Sequence, residues 1–114
     1  MKDWRKTKEY RKWRIKVIRR DKVCQVCGSM QKRQAHHLNS GSYFKDERFD
    51  VNNGVCLCSF CHTMFHTSYK NSFRQKCTKE DFLNFIELLN KLKNLKVNYL
   101  LVNSFKNKIK GREQ

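Results

Sequence analysis

Apolar residues recur at three- and four-residue steps, or multiples of them, over residues 4–20. Trp4, Tyr10, Trp13 and Val17 stand at those steps, with Arg and Lys at most other positions. That period predicts an amphipathic N-terminal helix with its aromatics on the core. Cys24-x-x-Cys27-Gly28 follows as a tight turn, Gly28 supplying a left-handed position if one is needed. A short strand is expected from Gln34 to Asn39, then a polar loop containing Gly41 and Asp46-Glu47, then a second, antiparallel strand over Gly54-Val55-Cys56-Leu57. Cys58, Cys61, His62, Phe65 and His66 fall at i, i+3, i+4 steps and predict a helix to about Ser68.

Further on, Thr78-x-x-Asp81 forms a weak capping box before an apolar stripe of Phe82, Phe85, Ile86, Leu89 and Leu92. Beyond Asn94 the pattern is double. Leu95, Val97 and Tyr99 alternate like a strand, whereas Leu95, Val102, Phe105 and Ile109 fit a helix, and we read 97–109 as helical. The expected architecture is small and α+β: a β-loop-β-helix core at 24–68, a basic helix at 1–23 and a helical region with a basic tail at 69–114, all in one domain.

Charge changes the picture most. Twenty-six Lys and Arg against ten Asp and Glu give +16. The excess sits at the ends: +8 over residues 1–20, +2 over 21–90 and +6 over 91–114. Two basic arms around a nearly neutral centre are the footprint of a polyanion-binding protein. No 18-residue apolar run and no signal-peptide pattern is present, so neither a membrane partner nor secretion is expected. The expected location is the cytoplasm, where paired cysteines more often hold metal than form disulfides.

Cys24-x-x-Cys27 and Cys58-x-x-Cys61 make two phased pairs, the spacing of a closed, tetrahedral four-thiolate zinc site. Four protein ligands leave no open position, so this zinc is structural. Cys56 and Cys77 are not needed for it. A Cys₂His₂ finger from Cys24, Cys27, His62 and His66 would leave Cys58 and Cys61 idle.

All four histidines lie within the 31 residues from His36 to His66. One histidine alone is most simply a packing residue. Here, however, His62 and His66 share one helix face at i, i+4, and the adjacent strand residues His36 and His37 must point to opposite faces. That arrangement suits a hydrolytic site with a metal ligand on one side and a free imidazole base beside it.

These motifs together, Cys24-x-x-Cys27, His36-His37, Asp50-x-x-Asn53-Gly54 and Leu57-Cys58-x-x-Cys61-His62-x-x-x-His66, resemble the HNH endonucleases of the ββα-metal class. They are most similar to the small zinc-stabilised members found in bacteriophages and mobile elements. Fifteen residues separate His37 from Asn53 and eight separate Asn53 from His62, so order and spacing match together. The resemblance implies that His36 and His62 hold a catalytic divalent ion. His66 is implied as a second helix ligand or a contact to the scissile phosphate. It makes His37 the general base and Asn53 the middle asparagine, whose side chain bonds across the loop and orients that base. It further implies hydrolysis of phosphodiesters to 5′-phosphate and 3′-hydroxyl ends, with nicking of one strand per monomer.

An all-imidazole shell is softer than Mg²⁺ prefers, so Mn²⁺, Co²⁺ or Ni²⁺ should serve as well as Mg²⁺ or better. Arg5, Arg11, Arg14 and Arg19 at one end, with Lys106 and Lys108 at the other, are expected to contact phosphates of double-stranded DNA with little sequence selectivity. The chain is expected to act as a monomer or weak dimer without a small-molecule substrate. In a bacteriophage it would work in the host cytoplasm, where packaging proteins are compatible partners. The competing reading is a non-catalytic zinc-stabilised nucleic-acid-binding module, which has no use for His37.

Overall fold

The computed structural model describes residues 3–70 and 75–91. Its first helix, α1, spans Lys8–Asp21 and is preceded by a separate 3₁₀ turn at Trp4–Lys6. A single helix from Trp4 was expected; Thr7 divides it. Thr7 is extended, and its side chain accepts a hydrogen bond from the Tyr10 amide at 3.2 Å, the geometry of an N-cap. Trp4 is thereby freed from the helix axis to fold back towards the centre of the molecule.

Strand β1, Arg33–His37, pairs antiparallel with β2, Gly54–Cys58, placing His36 opposite Val55 and His37 opposite Gly54. The expected strand to Asn39 ends two residues earlier, although the Leu38 amide still donates to Asn53 O at 2.9 Å. Gly28 takes a φ of 79° in the Cys24–Cys27 turn, as its position suggested. Lys22 and Lys32 also adopt positive φ, without glycine to ease it.

The two faces of this hairpin meet different partners. Ala35 packs with Trp13 and Val17 of α1, while Val55 and Leu57 join a larger cluster with α3. Helix α2, Ser59–Met64, runs on through one wider π turn at Phe65–Tyr69, where the Lys70 amide donates to Phe65 O. An unbroken α-helix to about Ser68 was expected.

Helix α3 is Lys79–Lys91, and its capping box is reciprocal. The Thr78 amide donates to Asp81 Oδ2 at 2.9 Å, and the Asp81 amide donates to Thr78 Oγ1 at 3.2 Å. Phe82, Phe85, Ile86 and Leu89 are buried as the stripe predicted, together with Leu83. Leu92, the 97–109 helix, Lys106 and Lys108 lie outside the described residues. The result is a small α+β fold with a two-stranded sheet and three α-helices among the described residues. No helix of the described residues is long and apolar enough to cross a membrane.

α1 is tied to the hairpin by directed bonds as well as by packing. Trp13 Nε1 donates to Asp50 O at 2.7 Å, and the Arg20 guanidinium donates to Val51 O and Gly54 O at 2.8 and 2.6 Å. Arg20 is therefore a structural base in a helix whose other arginines point outwards. Gly54 is needed for closeness, since its φ of −124° suits any residue. A Cβ there would stand 2.5 Å from Val17 Cγ2 and 2.8 Å from Trp13 Cζ2. Gly54→Ala is expected to cost about 1–3 kcal/mol by overpacking. That should lower the melting temperature by roughly 5–20 °C, read by circular dichroism. An unchanged melting temperature would mean that α1 can move off the hairpin freely.

Candidate metal centre

Two clusters of metal-ligating side chains are present among the described residues, and they share the β2–α2 junction. The first joins Cys24 and Cys27, in the turn after α1, to Cys58 and Cys61. The four sulfurs lie within 4.8 Å of one another, with Cys27 Sγ and Cys58 Sγ 3.6 Å apart. Tetrahedral thiolates at about 2.3 Å from a zinc ion have sulfur–sulfur edges of about 3.8 Å, so the cage is of the right size.

Local backbone geometry builds this cage. Cys58 ends β2 and caps α2, its sulfur accepting from the Cys61 amide at 3.4 Å, while the Cys24 amide donates to Ser29 O. A hydrogen bond from Cys61 is the main cause that holds the Cys24 thiol low, at about 5, and the same contact pushes Cys61 up. Burial raises Cys27 to about 11. One thiolate of the cage is thus stabilised by its Cys61 neighbour. Cys56 and Cys77 lie outside it, each buried.

The second cluster is His36, His62 and His66, one ring nitrogen of each lying within 4.8 Å of the others. β1 supplies His36 from the face directed at α2. The i, i+4 pair comes from α2 and the wider turn that follows, with His62 Nε2 and His66 Nε2 3.1 Å apart. His36 is buried against Phe65 and Phe82, and its Nε2 has no hydrogen-bond partner among the described residues. A buried nitrogen without a partner is costly unless something occupies its lone pair. Octahedral ligands about 2.1 Å from a metal have adjacent edges of about 3.0 Å, close to the 3.1 Å between His62 and His66. Three converging imidazoles fit a divalent transition ion.

His37 faces the opposite side, as alternation along β1 requires. Its ring stacks on Trp13 at 3.9 Å and 11°, with the edge of Trp4 at 5.4 Å. His37 Nε2 lies 2.8 Å from Arg48 O. A carbonyl only accepts, so the neutral ring carries its proton on Nε2 and its lone pair on Nδ1. Both sides of the strand nevertheless open on one cleft of about 450 Å³, lined by His36, His37, His62 and His66 and rimmed by Arg5, Ser42 and Tyr43.

Asn53 is buried and lies behind the cleft. Its Oδ1 accepts from the Asn39 amide at 2.8 Å, and its Nδ2 donates to Asn39 O and Glu47 O at 2.9 and 3.2 Å. It clamps the loop between the strands one peptide away from the Arg48 carbonyl that holds His37.

Arg5, Arg11, Arg14 and Arg19 are all exposed, and Arg5 donates to Ser42 Oγ at 3.1 Å on the cleft rim. Arg48 and Gln34 were not singled out from sequence. Arg48 acts through its carbonyl, and its guanidinium, like that of Arg5, lies over the Trp4 ring. Gln34 Oε1 lies 2.5 Å from His62 Nδ1. The one available signal was position: Gln34 stands two residues before His36 and shares its strand face.

Burial pulls all four imidazoles down. His36 falls well below the ordinary value, and His37 and His62 fall to about 4; His62 and His66 add to the effect at His36, and Arg5 and Arg48 add to it at His37. The rings are therefore neutral at pH 7, the state a ligand or a base requires. An unfolded histidine takes its proton near pH 6.5 and these fold-bound ones only near 4, so the unfolded chain binds more protons in between. Stability is expected to be full above about pH 6.5 and to fall towards pH 4, by on the order of 3 kcal/mol for each of His37 and His62. Urea midpoints at pH 7.5, 6 and 5 measure this; a flat profile would mean that these rings are solvated.

Compared with known families, residues 24–69 match the model described as HNH endonuclease. The match covers both cysteine pairs, all four histidines and Asn53. No curated protein and no solved structure matches the chain.

Proposed function

With residues 24–69 belonging to the HNH endonuclease family, we propose that the protein is a metal-dependent endonuclease that hydrolyses phosphodiester bonds of double-stranded DNA, nicking one strand at a time. The observation that carries this reading is the convergence of one ring nitrogen each from His36, His62 and His66, with a neutral His37 on the same cleft. His36, His62 and His66 would hold the catalytic ion. When bound there, a divalent ion supplies Lewis-acid stabilisation of the charge that develops on the scissile phosphate and the leaving 3′ oxygen.

His37 is the general base. Its Nδ1 lone pair takes the proton from an attacking water, and the resulting imidazolium keeps its Nε2–H on Arg48 O. In the free protein its basicity is low, at about 4, because the ring is buried and two guanidinium groups stand near. A bound phosphodiester brings negative charge beside Arg5 and Arg48 and so raises the basicity of His37 as substrate arrives. Asn53 acts as a positioning residue through the Glu47–Arg48 backbone. Cys24, Cys27, Cys58 and Cys61 bind a structural Zn²⁺. Arg5, Arg11, Arg14 and Arg19, with Lys106 and Lys108 from the basic tail, bind backbone phosphates, which predicts weak sequence selectivity and affinity that falls steeply with salt.

Supercoiled plasmid tests this reading. Wild-type protein with Mn²⁺, Co²⁺ or Ni²⁺ is expected to convert it first to the open circle, at least as fast as with Mg²⁺. Cleavage with Mg²⁺ alone would contradict the three-imidazole ligand set. Plasmid bound but left intact with every one of these ions would make the chain a non-catalytic binding module.

A further inference from the structure

We propose that Gln34 is a positioning residue for the catalytic metal: its side-chain oxygen holds the proton of His62 on Nδ1, so that the Nε2 lone pair is turned to the ion. The proposal rests on the metal-centre reading above and goes beyond it, to what decides which nitrogen of His62 is a ligand.

Gln34 is the second residue of β1, opposite Leu57 in register, and shares the strand face of His36. Its Oε1 reaches 28 residues along the chain to His62 Nδ1 at 2.5 Å. An amide oxygen has only lone pairs to offer, so it accepts and the imidazole nitrogen donates. A neutral imidazole carries one proton, and with that proton on Nδ1 the other nitrogen must present its lone pair. That nitrogen is the one 3.1 Å from His66 Nε2, inside the three-histidine cluster.

Without the acceptor, the proton is free to move to Nε2, where it would point at the site of the ion and oppose binding. The bond also fixes the rotation of the ring about χ2, a broad torsion that the helix backbone by itself leaves free. An acceptor behind a ligating histidine raises its basicity as well as its order. Glutamine does this without adding charge, so the centre keeps three neutral ligands and its preference for a softer divalent ion.

The experiment uses full-length protein with one equivalent of Zn²⁺ on the cysteine cage. Wild type, Gln34→Leu and Gln34→Glu are compared by calorimetric titration with Mn²⁺ and by long-range ¹H–¹⁵N spectra of the histidine rings before Mn²⁺ is added. Wild type is expected to show His62 protonated on Nδ1. Gln34→Leu should shift His62 towards the Nε2–H form and lose about 10- to 100-fold in Mn²⁺ affinity. Gln34→Glu retains the acceptor and should bind Mn²⁺ at least as tightly as wild type. The ring spectra carry the distinction from a merely structural role, because a packing loss would leave the tautomer of His62 unchanged.

Mn²⁺ affinity of Gln34→Leu within twofold of wild type would overturn the proposal and leave the metal centre standing. So would a wild-type His62 with a bare Nδ1, since the amide would then be the donor. Failure of every variant, wild type included, to bind Mn²⁺ would sink the metal-centre reading, and the proposal with it.

Discussion

Loss of zinc from the cysteine cage is expected to unfold the core and abolish cleavage, although none of the four cage cysteines lines the histidine cleft. A structural zinc site contributes an apparent binding free energy of about 10–16 kcal/mol, against a net stability of about 5–15 kcal/mol for a typical domain. Removing the ion therefore removes more than the fold has to spare. The coupling is geometric. Cys58 is both the last residue of β2 and the cap of α2, and Cys61 lies one residue before His62. When the thiolates repel one another, the junction that aims α2 at β1 loosens, and His62 and His66 lose their alignment with His36.

Cys27→Ser isolates this effect better than a chelator, which would also compete for an ion at the histidine cluster. Cys27 is the exposed member of the cage, so its replacement disturbs packing least. The variant is expected to lose one equivalent of zinc, to melt at least 15 °C lower by the usual scaling of a few kcal/mol in a domain of about 100 residues, and to stay inactive in excess Mn²⁺. A Cys27→Ser protein that keeps its melting temperature and cuts plasmid would show that the cage holds no structural metal.

Replacement of His37 should have the opposite signature, with chemistry lost and the zinc-stapled fold retained. Removal of a general base lowers a rate by about 10²–10⁴-fold, so single-turnover nicking by His37→Ala should fall by that factor. The structure adds a cost that the chain alone did not suggest. The imidazole fills the space between Trp13 and Arg48 O, so truncation leaves a cavity on the α1 side of the sheet. A lower melting temperature should accompany the loss, and two controls separate the two effects. His37→Gln refills the space and can still donate to Arg48 O but supplies no comparable base; it should melt near wild type and remain inactive. Free imidazole should restore part of the activity of His37→Ala by entering the cavity. Equal nicking by wild type and His37→Gln would remove His37 from the reaction.

Much of this was legible from residue order. The chemistry of a ligand set is local information: two C-x-x-C pairs, two histidines one helical turn apart, and two adjacent histidines that a strand must turn to opposite faces. None of those statements needs a contact map, because peptide geometry imposes them wherever the segment goes. The α3 capping box and apolar stripe were readable for the same reason. Element ends were less so. Thr7 made α1 start later than its apolar period by offering its own side chain as the N-cap, and the turn at Phe65–Tyr69 widened where His66 meets the cluster, a departure that local periodicity does not encode.

The chain by itself therefore determined which residue types stand where they could ligate a metal, and that two clusters of them share one short helix. Tertiary structure decided which histidine is which. Only the placement of α1 on one face of the hairpin and α2 on the other sends His37 to Trp13 and His36 to His62 and His66. It alone supplies Arg48 O and Gln34 Oε1, the acceptors that assign a proton to one nitrogen of His37 and of His62. These partners come from 11 and 28 residues away, through a loop and across a sheet. A proton's position on an imidazole depends on what stands about 3 Å from each nitrogen, and sequence spacing does not specify that distance.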